Sequence, residues 1–251
     1  MAKKTSISLN TLDTRAPKSW DKEKTKGKTH ALLEELSELQ NLLFAEAKHS
    51  LLILIQGMDA SGKDGVIRDI FSCVNPMGIQ VKSWKAPTDE EKAHDFLWRI
   101  HAHCPAKGML QIHNRSHYED VLVTRVHGWI NDQTAQKRML AINQFESMLT
   151  EHNNTTILKF YLHVSHEEQI SRLKERMEIP EKMWKYNAND LTESERWPDY
   201  LRYYEEVFAT CQTIPWNIIP SDQNWYKNFL IADKVVSTLK GFKMKFPGMK
   251  K

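Results

Sequence analysis

Cysteine is scarce. Cys73, Cys104 and Cys211 are the only three in 251 residues, they lie far apart, and no C-x-x-C pair occurs. That usage argues against a disulfide framework or a structural zinc site, and the setting expected from it is a reducing cytoplasm. Long apolar runs are missing too. The longest, Leu51–Ile55, has five residues, too few to cross a membrane. The first ten residues hold lysines but no apolar segment of the kind a secretory signal needs. Nine glycines and nine prolines exclude collagen-like or low-complexity character. What remains is 41% hydrophobic and 27% charged, enough for a sizeable core, and the expectation is one soluble intracellular domain over residues 1–251.

A strong excess of one charge is also absent, since the formal net charge is only +3. Its distribution is uneven, however. Residues 1–30 hold eight Lys/Arg against three Asp/Glu, and residues 240–251 hold five lysines and no acid. The body between them is mildly acidic. Such basic ends read first as a solvated leader and tail. The alternative is a patch that attracts polyanions.

Hydrophobic spacing then gives an alternating pattern. Leu32, Leu36, Leu39 and Leu43 predict a helix over 29–48. LLILIQ, 51–56, reads as a strand covered on both faces. A helix over 63–73 follows, then a strand over 79–84. Thr88 and Glu91 form a capping-box signature that opens a helix to about 103. Strands at 109–113 and 156–164 flank a long helix at 132–152, and Ser165 with Glu168 opens another helix to 176. Residues 178–190 show no period and read as an ordered loop or lid. A helix at 191–210, a strand at 216–219 and a helix at 224–239 close the chain. Strands alternating with helices predict an α/β fold, a parallel sheet with helices on both faces.

Three glycines crowd into GMDASGKDG: Gly57, Gly62 and Gly65. Gly57, four residues, then Gly62–Lys63 is the spacing of a P-loop, whose backbone N–H groups close around phosphate oxygens while the lysine reaches the same group. A strand before it and a helix after it fit that reading. Asp64 stands where the motif expects Ser or Thr. Asp59 lies inside the loop, and a carboxylate among phosphates needs a metal or a proton between them. It reads as a Mg²⁺ ligand or a proton acceptor, with a turn-forming aspartate as the alternative. The third strand runs into NRSHYED, which puts Asn114, Arg115, Glu119 and Asp120 near the carboxyl end of a parallel strand, where ligand groups gather. Arg172 and Arg176, four apart, share a helix face and could close over phosphates; a surface pair such as Glu168–Arg172 is the alternative.

Six segments now occur together in order: GMDASGKDG, VNPMG (74–78), APTDEE (86–91), HDFLWR (94–99), NRSHYEDVLV (114–123) and PEKMWK (180–185). This combination closely resembles the type 2 polyphosphate kinase family over about residues 30–239. The resemblance implies a P-loop kinase fold similar to thymidylate kinase, with a helical lid at about 172–195. It implies phosphoryl transfer between inorganic polyphosphate and purine nucleotides with Mg²⁺, or Mn²⁺ in its place. AMP and ADP are the acceptors suggested by Glu119–Asp120, with GMP and GDP as further candidates.

Carried over by position, Asp59 and Lys63 belong to the catalytic P-loop, with Gly57, Met58, Ala60, Ser61, Gly62, Asp64 and Gly65 around the phosphate. Asn114, Arg115, Glu119 and Asp120 form the second motif, Arg172 and Arg176 the lid, and Asp59 with Asp120 the metal pair. Asp64 is ordinary in that family, whereas Gln111 and His113 depart from its more apolar strand. A homo-oligomer is expected, with neither nucleic acid nor membrane as partner. An ATP-dependent nucleoside monophosphate kinase, a P-loop switch and a polyanion-binding protein are the rival readings.

Overall fold

The computed structural model describes residues 7–249. In chain order its elements are α1 (Lys22–Glu46), β1 (Ser50–Gly57), α2 (Lys63–Phe71), β2 (Ile79–Ser83), α3 (Asp89–Ala93), α4 (Trp98–His101), β3 (Leu110–Asn114), α5 (Glu119–Val126), α6 (Asp132–Asn153), β4 (Thr155–His163), α7 (His166–Glu178), α8 (Pro180–Met183), α9 (Asn189–Ser194), α10 (Trp197–Thr210), β5 (Trp216–Pro220) and α11 (Asn224–Gly241).

β1 explains the architecture. All eight of its residues are buried, and successive side chains of a strand point to opposite faces. Leu52 and Leu54 enter one core with Tyr118, Met139, Ile142, Val207 and Phe208. Leu51, Ile53 and Ile55 enter the other with Leu36, Leu43, Val66, Ile231 and Val235. A strand apolar on both faces belongs at the centre of a sheet, and the strand order is β2-β3-β1-β4-β5 with every pairing parallel. Helices α1, α2 and α11 cover one face; α5, α6 and α10 cover the other. A strand, a P-loop and a helix at the centre of a parallel sheet form the P-loop kinase fold that was expected. No helix among the described residues is long and apolar enough to cross a membrane.

Four expectations need correction. The leader is not a solvated tail where it is described. α1 starts at Lys22, with the Asp21 side chain accepting from the Lys24 N–H at 2.6 Å, and Leu9 is fully buried. Thr14 and Ala16 bond to Asp222 and Gln223 ahead of α11. Residues 1–6 and 250–251 of the two basic ends lie outside the described residues. Second, the helix from Thr88 stops after five residues although its capping box forms. His94 turns extended and stacks on Trp98 at 4.0 Å. The Asp95 carboxylate takes the Leu97 N–H, which starts α4 afresh. Third, 178–190 is not loop alone, because it holds α8 and the start of α9. Fourth, the helix expected over 191–210 breaks at Glu195–Arg196, where Pro198, lacking an N–H, sits at the start of α10. α5 was not expected at all.

Candidate active site

The carboxyl end of β1 runs straight into the loop 57–62, and α2 begins at Lys63. Gly57 (φ +153°) and Gly62 (φ +96°) supply the backbone geometry that other residues resist. At Gly57 an added Cβ would meet the Leu162 carbonyl oxygen at 2.9 Å and Ser61 Oγ at 2.7 Å. Ser61 is thus packed inward, fully buried. Ala60 also holds a positive φ, 59°. Lys63 lies over the loop, its Nζ donating to the carbonyl oxygens of Gly57 (2.7 Å) and Met58 (3.0 Å). Burial, with Arg115 nearby, pushes its pKa from 10.5 down to about 8 against the pull of Asp59, Glu119 and Asp64. The N-terminus of α2 points its free N–H groups into the same space.

The β3 end brings the second motif alongside. Arg115 adopts φ +66°, and its guanidinium bridges Asp59 Oδ1 (2.7 Å) and Glu119 Oε2 (3.3 Å). Burial alone would raise the Asp59 carboxyl, but Lys63, Arg115 and Arg176 outweigh it and hold the group below its ordinary value, so it is ionised. Asn114 Nδ2 donates to Asp64 Oδ1 at 2.8 Å, and Lys185 from the segment after α8 reaches Asp64 Oδ2 at 2.6 Å. The one stretch Gly57–Gly65 therefore touches β3 and the lid together. Gly65 itself has open space where a Cβ would stand.

Asp120 departs from this cluster. Its carboxylate turns to Arg99, 3.3 Å away, which also holds Glu91 and the Lys85 carbonyl. Burial raises the Asp120 pKa despite Arg99. Glu119, one residue earlier and about 100° round α5, lines the cleft with Asp59, Arg115, Tyr200 and Tyr204, and Asp120 does not. Asp59 and Glu119 are the carboxylates joined through Arg115, and the Asp120 carboxylate lies outside that cluster, on Arg99.

The lid arginines divide. Arg176 pairs with Asp190 at 2.6 Å and lies close enough to act on Asp59. Arg172 makes the expected pair with Glu168 (2.8 Å), and it also grips the loop. Its two terminal nitrogens donate to the carbonyls of Ala60 (3.0 Å), Ser221 (2.9 Å) and Asp222 (3.0 Å). It holds the loop by the Ala60 carbonyl, with its donors shared between backbone carbonyls and Glu168. Gln169 adds a bond to the Asp59 carbonyl at 3.1 Å.

Sequence reasoning missed Gln169, Asp190 and Glu193 as lining residues and Lys185 as a partner of Asp64, while Tyr200 and Tyr204, aromatics that read from sequence as base stackers or as core or lid packing, also line the cleft. Lys185 ends the PEKMWK segment; for the others no local spacing announces the role. The polar residues of β3 are accommodated: His113 is buried, bonds the His103 carbonyl at 3.0 Å and is held neutral, its pKa pushed by burial to about 3.

A Mg²⁺ ion fits this donor set. Among the described residues no three acids, histidines or cysteines gather to hold a metal unaided. That suits a cation that takes one or two carboxylates and completes its shell with water and phosphate. Asp59, ionised and in the loop, and Glu119 beside it would be the oxygen donors for such an ion.

Comparison with known proteins points the same way. The family model for polyphosphate kinase 2 matches residues 19–247. An AMP/ADP-polyphosphate phosphotransferase of Meiothermus ruber is 48% identical over 218 residues, 86% of this chain and 81% of that protein. An ADP-polyphosphate phosphotransferase of Rhodopseudomonas palustris is 39% identical, covering 86% and 79%. Among solved structures, polyphosphate kinase 2 from Arthrobacter aurescens TC1 superposes with a TM-score of 0.94 at 38% identity, over 98% of this chain and 90% of that one. The chain belongs to the polyphosphate kinase 2 family.

Proposed function

We propose that the cleft between the P-loop and the lid moves the terminal phosphoryl group of inorganic polyphosphate onto AMP and ADP, with GMP and GDP as further acceptors. The observation that carries this reading is the convergence of Lys63, Arg115 and an ionised Asp59 on one phosphate-sized loop. Polyphosphate places its end on the loop amides. Lys63 then exchanges its bonds to the Gly57 and Met58 carbonyls for phosphate oxygens. Arg115 is held between Asp59 and Glu119 and faces the transferred group, and Arg176 approaches from the lid. Asp59 and Glu119 would hold Mg²⁺ or Mn²⁺, which would supply neutralisation of phosphate charge.

The acceptor is a phosphate oxygen that is already ionised, so positioning and charge neutralisation outweigh proton removal. Three free cysteines accord with a reducing, cytoplasmic setting. The homo-oligomer that the family resemblance implies belongs to the same proposal, and sedimentation reads it directly.

Polyphosphate supplied as sole phosphoryl donor with AMP, ADP, GMP or GDP tests the reading. Formation of the next higher nucleotide is expected with both adenine acceptors. An enzyme that needs ATP as donor gives no product, and a switch gives hydrolysis or binding alone; either result would reject the proposal.

A further inference from the structure

Lys227 stands in the first turn of α11 and is 1% exposed. Among the described residues its ammonium makes one hydrogen bond, 2.8 Å to Asn224 Oδ1, a neutral acceptor. The charged groups that act on it are Arg172 on α7 and the Arg68–Asp69 pair on α2. Arg172 has the same sign as Lys227. The one acid, Asp69, is already engaged by Arg68 at 2.8 Å and Asn228 at 3.2 Å. A buried ammonium with no carboxylate against it is expensive unless something compensates it. Burial, with Arg172 adding to it, pushes its pKa down to about 7.

The position of this cation is specific. A Cβ added at Gly62 would collide with Lys227 Nζ and lie 3.8 Å from Arg172 Nη1. Gly62 therefore answers two demands, its φ of +96° and the approach of the ammonium. Lys227 and Arg172 together set positive charge against the loop at Gly62. Two cations against a loop whose amides already favour anions raise its attraction for phosphate. Lys227, without a carboxylate against it, also costs the fold stability while the loop is empty.

We propose that Lys227 is a positioning cation of the P-loop, poised so that the phosphate bound on the loop amides supplies the countercharge that the protein itself leaves out. It acts through Gly62 and the field at the loop. The proposal rests on the placement of polyphosphate in the P-loop given above.

Lys227→Met keeps the length and apolar stem but removes the charge. Strain held for function predicts two opposite changes. The Kd for tripolyphosphate, measured by calorimetry, should rise about tenfold, as expected for losing one nearby cation in a partly desolvated site. The KM for polyphosphate should rise with it, more than kcat falls, while Tm stays level or increases. Lys63→Met, measured alongside, separates the two claims. Unchanged tripolyphosphate affinity in Lys63→Met would remove phosphate from the P-loop and the placement with it. Weakened binding in Lys63→Met but not in Lys227→Met would overturn the Lys227 proposal alone. A Lys227→Met protein that melts below wild type would overturn it too, because the ammonium would then serve the fold.

Discussion

Lys63 is a cation whose proton is held weakly. Its folded pKa, about 8, lies below the ordinary 10.5 because burial and Arg115 disfavour the charge more than Asp59, Glu119 and Asp64 favour it. The charged form is the useful one, so rising pH removes it from the free enzyme first. kcat/KM for polyphosphate should therefore fall as pH passes through about 8. Bound phosphate restores the charge, so the alkaline limb of kcat should lie higher. Paired pH profiles check this, and a kcat/KM that stays flat well above pH 8 would contradict it. At this scale the P-loop was legible because its residues are neighbours in sequence. The direction of Asp120 was less legible: spacing puts it next to Glu119, but a helix turns about 100° per residue. The partner that claims it, Arg99, lies 21 positions away.

Elements were legible wherever one period ran unbroken, as in β1, α6 and α11. They were misread where a local bond overrides the pattern, at Asp95, or where proline resets it, at Pro198. Least legible was the way the leader serves the site. The Asp222 carboxylate accepts from Thr14 Oγ1 (2.8 Å), from the Ser165 N–H (2.8 Å) and from Ser165 Oγ (3.0 Å). The Asp222 carbonyl accepts from Arg172, which holds Ala60. Leader, turn, α7 and P-loop thus form one chain of bonds across 208 positions of sequence. No spacing argument spans that distance. Asp222→Ala leaves the half-buried N–H of Ser165 without its acceptor. It should cost about 1–3 kcal/mol in a urea melt and lower kcat/KM as the loop loosens. Wild-type stability together with wild-type activity would show that these bonds are incidental.

Across the whole molecule, the two faces of the sheet divide the labour. One core, behind α1, α2 and α11, packs chiefly aliphatic side chains. The other encloses a buried ionic network: Lys159 Nζ lies 2.8 Å from Glu146 Oε2 and 2.8 Å from the Tyr118 hydroxyl, with His117 on the same carboxylate. His117 and Tyr118 belong to the NRSHYED segment, so this network anchors the turn that carries Arg115 at its positive φ. The basic ends are in part structural, since Lys240 pairs with Glu35 and Phe242 stacks on His49. Fold, anchor and leader all converge on a single loop, and that loop carries the central claim. Its most direct test is the rate at which AMP becomes ADP with polyphosphate as sole donor, compared between wild type and Lys63→Ala. Both must first give the same far-UV spectrum and cooperative melt. The expected loss is on the order of a thousandfold, the effect of removing one transition-state charge donor from a preorganised site. Near-normal turnover in the folded variant would contradict the account.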